Sequence, residues 1–114
     1  MSDNDASWVR QYYATWDSAD AEAISSWFDD DVVLEDVPTG HIARGGAEAR
    51  KFVESALKVV PGASYEVLTA VTTGEVFAVE WVMRPPGLRG SSVGTVRAGK
   101  VVTNRDYWDA SPRK

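Results

Sequence analysis

The sequence predicts an α+β fold in which three helices from the first half of the chain cover one face of a curved, mostly antiparallel sheet. Three observations point there. Apolar residues recur at helical spacing up to about residue 60. Beyond it the pattern becomes strand-like and rich in β-branched and aromatic residues, and turn signals containing glycine separate the later segments by hairpin-sized gaps. With 114 residues, 44% of them apolar and 11% aromatic, the chain suits one domain, residues 1–114, whose core buries roughly two thirds of the unfolded surface.

The first helix is carried by "SWVRQYYATW", where Trp8, Val9, Tyr12, Tyr13 and Trp16 fall on one stripe. Asp20 is a candidate N-cap for a short second helix through "AEAISSWF". The acidic run at 29–31 then reads as a solvated turn rather than an ion cage, which would need oxygen ligands spaced around a loop. After it comes a short strand, "VVLED". The third helix, "GGAEARKFVESALKVV", puts Phe52, Val53, Ala56, Leu57 and Val60 on one face before Pro61-Gly62 ends it.

Four strands follow: "SYEVLTAVTT", "EVFAVEWVM", "SSVGTVRA" and "KVVTNRDYW". Gly74 and Ala98-Gly99 mark tight turns between neighbours, and "RPPGLRG" joins the middle pair. The first five and last four residues show no packing signal, and no repeat or linker divides the chain.

Charge and composition exclude several functions. Twelve Lys and Arg against 17 Asp and Glu leave a formal charge of −5, which repels nucleic acid and anionic bilayers. The absence of cysteine rules out disulfides, thiolate metal sites and cysteine nucleophiles. The acidic start "MSDNDAS" is unlike a signal peptide, and no run of about 18 apolar residues could span a bilayer. A cytoplasmic protein without a metal site is expected.

The residue that asks for a functional account is Asp106, set within "KVVTNRDYW", because a carboxylate resists unpaired burial. Strand alternation that turns Asp106 inward places Val102, Asn104 and Trp108 beside it and sends Arg105, Tyr107 and Asp109 outward. The same alternation groups Asp36 with Leu34 and Val32. A carboxylate desolvated among apolar neighbours has its pKa raised toward neutrality, as a general base requires. Plainer readings stand beside this one. Asp106 could pair with Arg105 or Arg97 on the exposed face, Asp36 could start the turn at Val37-Pro38, and Tyr12 could be core filling. His41, the one histidine, reads as a solvent-facing loop residue.

The order of "VRQYYATW", "FDDDVVLED", "GHIARGGAEAR" and "AGKVVTNRDYWD" resembles the nuclear transport factor 2-like superfamily over nearly the whole chain. Its SnoaL-like polyketide cyclase, ketosteroid isomerase and limonene epoxide hydrolase branches are the most similar. The resemblance implies a cone-shaped sheet around a deep apolar pocket closed by the helices, a homodimer, a small apolar or cyclic ligand and no cofactor. In the isomerases a tyrosine on the first helix and an aspartate after a "VED"-like strand supply the oxyanion donor and the base; Tyr12 and Asp36 match them here. The isomerases' second acid falls at about Ser92.

The hydrolase branch ends on a segment similar to "RDYWD", whose aspartate matches Asp106. Its other two water-orienting positions hold Trp81 and Met83. A SnoaL-like cyclase needs one acid/base aspartate in a closed pocket, which Asp106 could supply. Catalytic candidates are therefore Asp106, Asp36 and Tyr12. Trp81, Met83, Trp108, Asn104, Ser92, Leu34 and Trp16 are candidate substrate contacts, and the tryptophans suggest a flat apolar ligand.

The expected function is cofactor-independent acid/base chemistry, as an isomerase or aldol-type cyclase, on a small cyclic or polyketide-like carbonyl compound. A non-catalytic binding or interaction domain of the same fold is the alternative, and an epoxide hydrolase with an altered site is a third. The outer face, with Glu80, Val82, Arg105 and Tyr107, is the expected dimer surface.

Overall fold

The computed structural model describes residues 6–85 and 87–109; the two chain ends, where no packing signal was found, lie outside them. The elements run α1 (Ser7–Asp17), α2 (Ala21–Ser25), β1 (Phe28–Asp36), β2 (His41–Arg44), α3 (Gly45–Val59), β3 (Ser64–Thr73), β4 (Val76–Arg84), β5 (Leu88–Arg97) and β6 (Lys100–Trp108). The six strands form one sheet in the order β2-β1-β6-β5-β4-β3. Every pairing is antiparallel except β1 with β6. The chain thus has the α+β architecture of a curved open sheet with three helices.

Local chemistry sets the boundaries. Asp20 caps α2, its Oδ1 accepting from the Glu22 and Ala23 amides at 3.0 and 3.2 Å. At the β5–β6 turn Ala98 and Gly99 both take positive φ, 53° and 78°, the geometry that two-residue hairpins of matching twist require. Arg10 donates to the Val67 carbonyl oxygen at 3.3 Å, and Asp17 accepts from the Tyr65 amide at 2.8 Å, so α1 is tied to β3 at two points. The helices bury Val9, Ile24, Ala49 and Val53 against Phe28, Val32, Phe77 and Val101.

The structure departs from the sequence reading at four places. β1 begins at Phe28, so the acidic run 29–31 lies on the strand. Asp29 there faces Arg97 at 3.5 Å, and the β1–β6 register shifts between Phe28 and Val33. His41 opens a strand, β2, instead of sitting in a loop, and is the cross-strand partner of Asp36.

Alternation along β6 breaks as well. Val101 is fully buried and Val102 only partly, because Val96 pairs with Val101 while Thr95 pairs with Thr103. The extra residue is a bulge, and it reverses which face the preceding side chains occupy. The parity that turns Asp106 inward therefore holds only from Thr103 onward.

Last, the outer face is less apolar than expected. Val82 is 8% exposed, lying between Glu66 and Arg89 in the register of β3, β4 and β5. These two belong to the ion pairs Arg84–Glu66 and Arg89–Glu80, at 2.8 and 3.5 Å. Arg105 and Tyr107 do point outward, Tyr107 at 43% exposure. No helix among the described residues is long and apolar enough to cross a membrane.

Candidate active site

A cavity of about 520 Å³ opens between the concave face of the sheet, α1 and the C-terminal half of α3. That volume suits one small organic molecule. Of the residues picked out by sequence, Asp106, Asp36, Tyr12, Trp81, Met83, Trp108, Asn104 and Trp16 all line it. Leu34 and Ser92 do not. Leu34 is 2% exposed and belongs to the hydrophobic core, while Ser92, 0% exposed, lies behind Asp106. Trp27 also stays out of the cavity, its indole N–H donating to Thr15 at 3.0 Å.

Sheet register assembles the polar centre. Asp36, Asp106, Ser92 and Val79 are successive cross-strand partners on β1, β6, β5 and β4. Asp106 Oδ1 accepts from Ser92 Oγ at 2.6 Å and from Asn104 Nδ2 at 2.7 Å. Ser92 Oγ in turn accepts from the Trp81 indole N–H at 3.0 Å. Both donors among the described residues thus converge on one carboxylate oxygen, leaving Oδ2 for the cavity. Arg97 pairs with Asp29 instead, and among the described residues Asp106 forms no ion pair with Arg97 or Arg105, so the surface ion-pair reading does not hold.

Burial pushes the Asp106 carboxyl up to about 6 from its ordinary 3.8, against the lowering effect of the Ser92 and Asn104 hydrogen bonds, and the nearby charge of Asp36 adds to the rise. A carboxyl tuned in this way exchanges protons near neutral pH.

Asp36 is held differently. Its Oδ1 accepts from the Trp108 indole N–H and its Oδ2 from Thr39 Oγ1 at 2.7 Å. Its carbonyl oxygen also accepts from the Gly40 amide at 2.8 Å, so Asp36 both turns the chain and faces the cavity. His41, on β2, is exposed and stacks on Phe52, a lining residue, with ring centroids 5.4 Å apart.

Three phenols reach the same cavity. Tyr12 and Tyr13 are 2% and 4% exposed, and Tyr65 packs edge-on against Tyr13 and Trp81 at 5.6 and 5.1 Å. Burial first, and then the Asp106 charge, push all three above the ordinary phenol range, so they remain O–H donors. Sequence reasoning selected Tyr12 and passed over Tyr13 and Tyr65. Tyr13 shares the α1 stripe, and Tyr65 is the cross-strand partner of Met83, a relation that needs the register. No group of three or more His, Asp or Glu side chains among the described residues is placed to hold a metal ion.

Gly90 makes room for the Trp81 wall. A Cβ there would lie 2.5 and 2.6 Å from Trp81 ring atoms and 2.8 Å from the Tyr107 carbonyl oxygen, well inside contact distance. Gly90→Ala should therefore displace the indole, shifting its fluorescence and lowering the melting temperature by about 5 °C, read by thermal denaturation followed by tryptophan fluorescence.

Comparison with known proteins bears on this site through its fold. A sequence-family model described as the SnoaL-like domain matches residues 9–106. No curated protein matches the chain. Among solved structures, a protein of ketosteroid isomerase-like fold from Catenulispora acidiphila, in complex with trimethylamine, superposes with a TM-score of 0.82. It has 16% identity, and the match covers 90% of this chain and 85% of that one. A protein provisionally named a polyketide cyclase, from Sinorhizobium meliloti, gives 0.75 at 20% identity, covering 86% and 91%. Another provisionally named a ketosteroid isomerase, from Kribbella flavida, gives 0.77 at 20% identity, covering 96% and 80%. At these identities the structural likeness establishes the shared fold.

Proposed function

Because the chain belongs to the SnoaL-like domain family of the nuclear transport factor 2-like superfamily, we propose that it is a cofactor-independent acid/base enzyme. In this reading it isomerises or cyclises a small cyclic or polyketide-like carbonyl compound held in the cavity. The observation that carries the reading is Asp106: a carboxyl near pKa 6, its Oδ1 fixed by two donors and its Oδ2 left to the cavity.

The chemistry follows from these positions. Asp106 Oδ2 takes a proton from the carbon next to the substrate carbonyl; the C–H electron pair becomes the enolate double bond, and negative charge develops on oxygen. The neutral phenol of Tyr12 donates to that oxygen, a stabilisation most effective where water is excluded. In an isomerase the enolate takes the proton back from Asp106 at another carbon. In a cyclase the enolate carbon attacks a second carbonyl of the same molecule, a C–C bond forms, and the resulting alkoxide takes the proton. Ser92 and Trp81 are positioning residues in this scheme, since their hydrogen bonds act on Asp106.

Epoxide hydrolysis is disfavoured, because Trp81 and Met83 offer no side-chain charge to orient a water. The non-catalytic binding domain is the second reading, favoured by one observation: Ser92, at the position of the isomerases' second acid, is turned to Asp106 and away from the cavity. A homodimer, as the resemblance implies, and a cytoplasmic location, as the sequence reading expects, belong to the proposal.

Deuterium exchange at the activated carbon of β-tetralone, followed by NMR, separates these readings. Catalysed exchange should rise with pH through about 6 and then level, since the ionised form of Asp106 is the base. Exchange no faster than in buffer would leave the binding reading.

A further inference from the structure

The charged groups of the cavity are out of balance, and the imbalance identifies a kind of ligand. Most donors at its polar centre are already engaged. The Trp81 indole donates to Ser92, Ser92 and Asn104 donate to Asp106, and Trp108 and Thr39 donate to Asp36. The phenols are the other O–H groups, and Tyr12, Tyr13 and Tyr65, held neutral by burial, remain donors.

Negative charge, in contrast, is left without a counter-ion. Asn104 lines the cavity, but its Nδ2 is committed to Asp106 and its Oδ1, unpaired among the described residues, is closed off from the cavity. Asp36 and Asp106 place two carboxylates facing one another across the parallel β1–β6 pairing, one strand spacing of about 4.8 Å between their backbones. Each charge opposes the other. Among the described residues, no Lys, Arg or His lines the cavity.

The walls favour the same kind of ligand. Tyr12, Tyr13, Trp16, Tyr65, Trp81 and Trp108 bring six aromatic rings around the cavity, and ring faces attract cations most strongly away from water. A neutral ketone can accept from the phenols but brings no charge to offset the carboxylates, and an anion would be repelled.

We propose that the ligand of this cavity carries a protonated amine on an apolar ring body, with its N–H groups directed to the Asp36 carboxylate, whose cross-strand partner is Asp106. Asp106 Oδ2 is left for proton transfer. The inference rests on the reading of this cavity as the substrate site; in terms of that reaction, it makes the substrate an aminoketone.

The test compares four molecules of one skeleton on the full chain by calorimetry: β-tetralone, the corresponding primary amine, its neutral N-acetyl derivative and the corresponding carboxylate. At about pH 8, where the amine is cationic, it should bind at least about tenfold more tightly than the ketone or the acetylated amine, with the carboxylate weakest. Asp36→Asn, if it remains folded by thermal melting, should remove most of the preference for amine over ketone. The comparison of amine with acetylated amine needs no variant. Equal binding of the ketone and the amine, no loss on acetylation, or no binding by any of the four would overturn the proposal. Amine preference without catalysed exchange on β-tetralone would sink the enzymatic reading and keep this one; exchange without amine preference would do the reverse.

Discussion

Replacing Asp106 with Asn should lower the rate of β-tetralone exchange by about a hundredfold or more and leave ketone affinity within about twofold. The amide keeps an oxygen able to accept from both Ser92 and Asn104, so the cavity wall is preserved while the proton acceptor is lost. The effect on stability has a definite sign. The Asp106 carboxyl is pushed up to about 6 from an ordinary 3.8, mainly by burial, so the folded state holds this proton more tightly than the unfolded chain does. That contribution is full below the unfolded value and is lost as pH rises through about 6. Above that pH, ionisation opposes folding, and Asp106→Asn should melt no lower than the parent protein. A rate loss with an unchanged or higher melting temperature is the expected pair of results. A lower melting temperature with full exchange activity would return Asp106 to a structural role and leave Asp36 as the base.

Gly94→Ala should have the largest effect on stability. A Cβ at Gly94 would lie 2.7 and 2.8 Å from Phe77 ring atoms, and closer still to the Thr103 carbonyl oxygen. Phe77 is 0% exposed, so the ring has nowhere to go, and Thr95 and Thr103 are paired in the β5–β6 ladder immediately alongside. Overpacking of a closed core costs about 1–3 kcal/mol, and here two neighbours, one of them backbone, must yield together. A loss of about 3 kcal/mol, or roughly 10 °C in melting temperature for a chain of this size, is expected by thermal denaturation followed by circular dichroism. A change of less than about 2 °C would show that the β5–β6 hairpin can spread, contrary to the packing described.

Much of the architecture could be read from local pattern because the signals there are themselves local. The stripe from Trp8 to Trp16, the Asp20 cap, Pro61-Gly62 at the end of α3 and the turn at Ala98-Gly99 each act within a few residues. The carboxylates were legible for a different reason. Asp106 stands out as an acid in an otherwise strand-forming segment and is similar to the closing segment of the hydrolase branch, while Asp36 was found through the similarity of "LED" to the isomerases' first strand.

What the sequence by itself determined was the α+β class, the α1 stripe, the two acids and the aromatic character of whatever surrounds them. Only the tertiary structure decided which side chains meet. The bulge at Val102 exchanges the faces of β6, and no periodicity announces it, since it depends on a pairing shift against β5. Ser92 became a hydrogen-bond donor behind Asp106, and Leu34 a core residue, because depth in a curved sheet is set by the helices that close it. Tyr65 reached the site through its register opposite Met83, a relation between residues 18 positions apart. The pKa of Asp106 and the unpaired Asn104 oxygen are likewise products of burial, which is a sum over every element packed around the cavity and belongs to no segment alone.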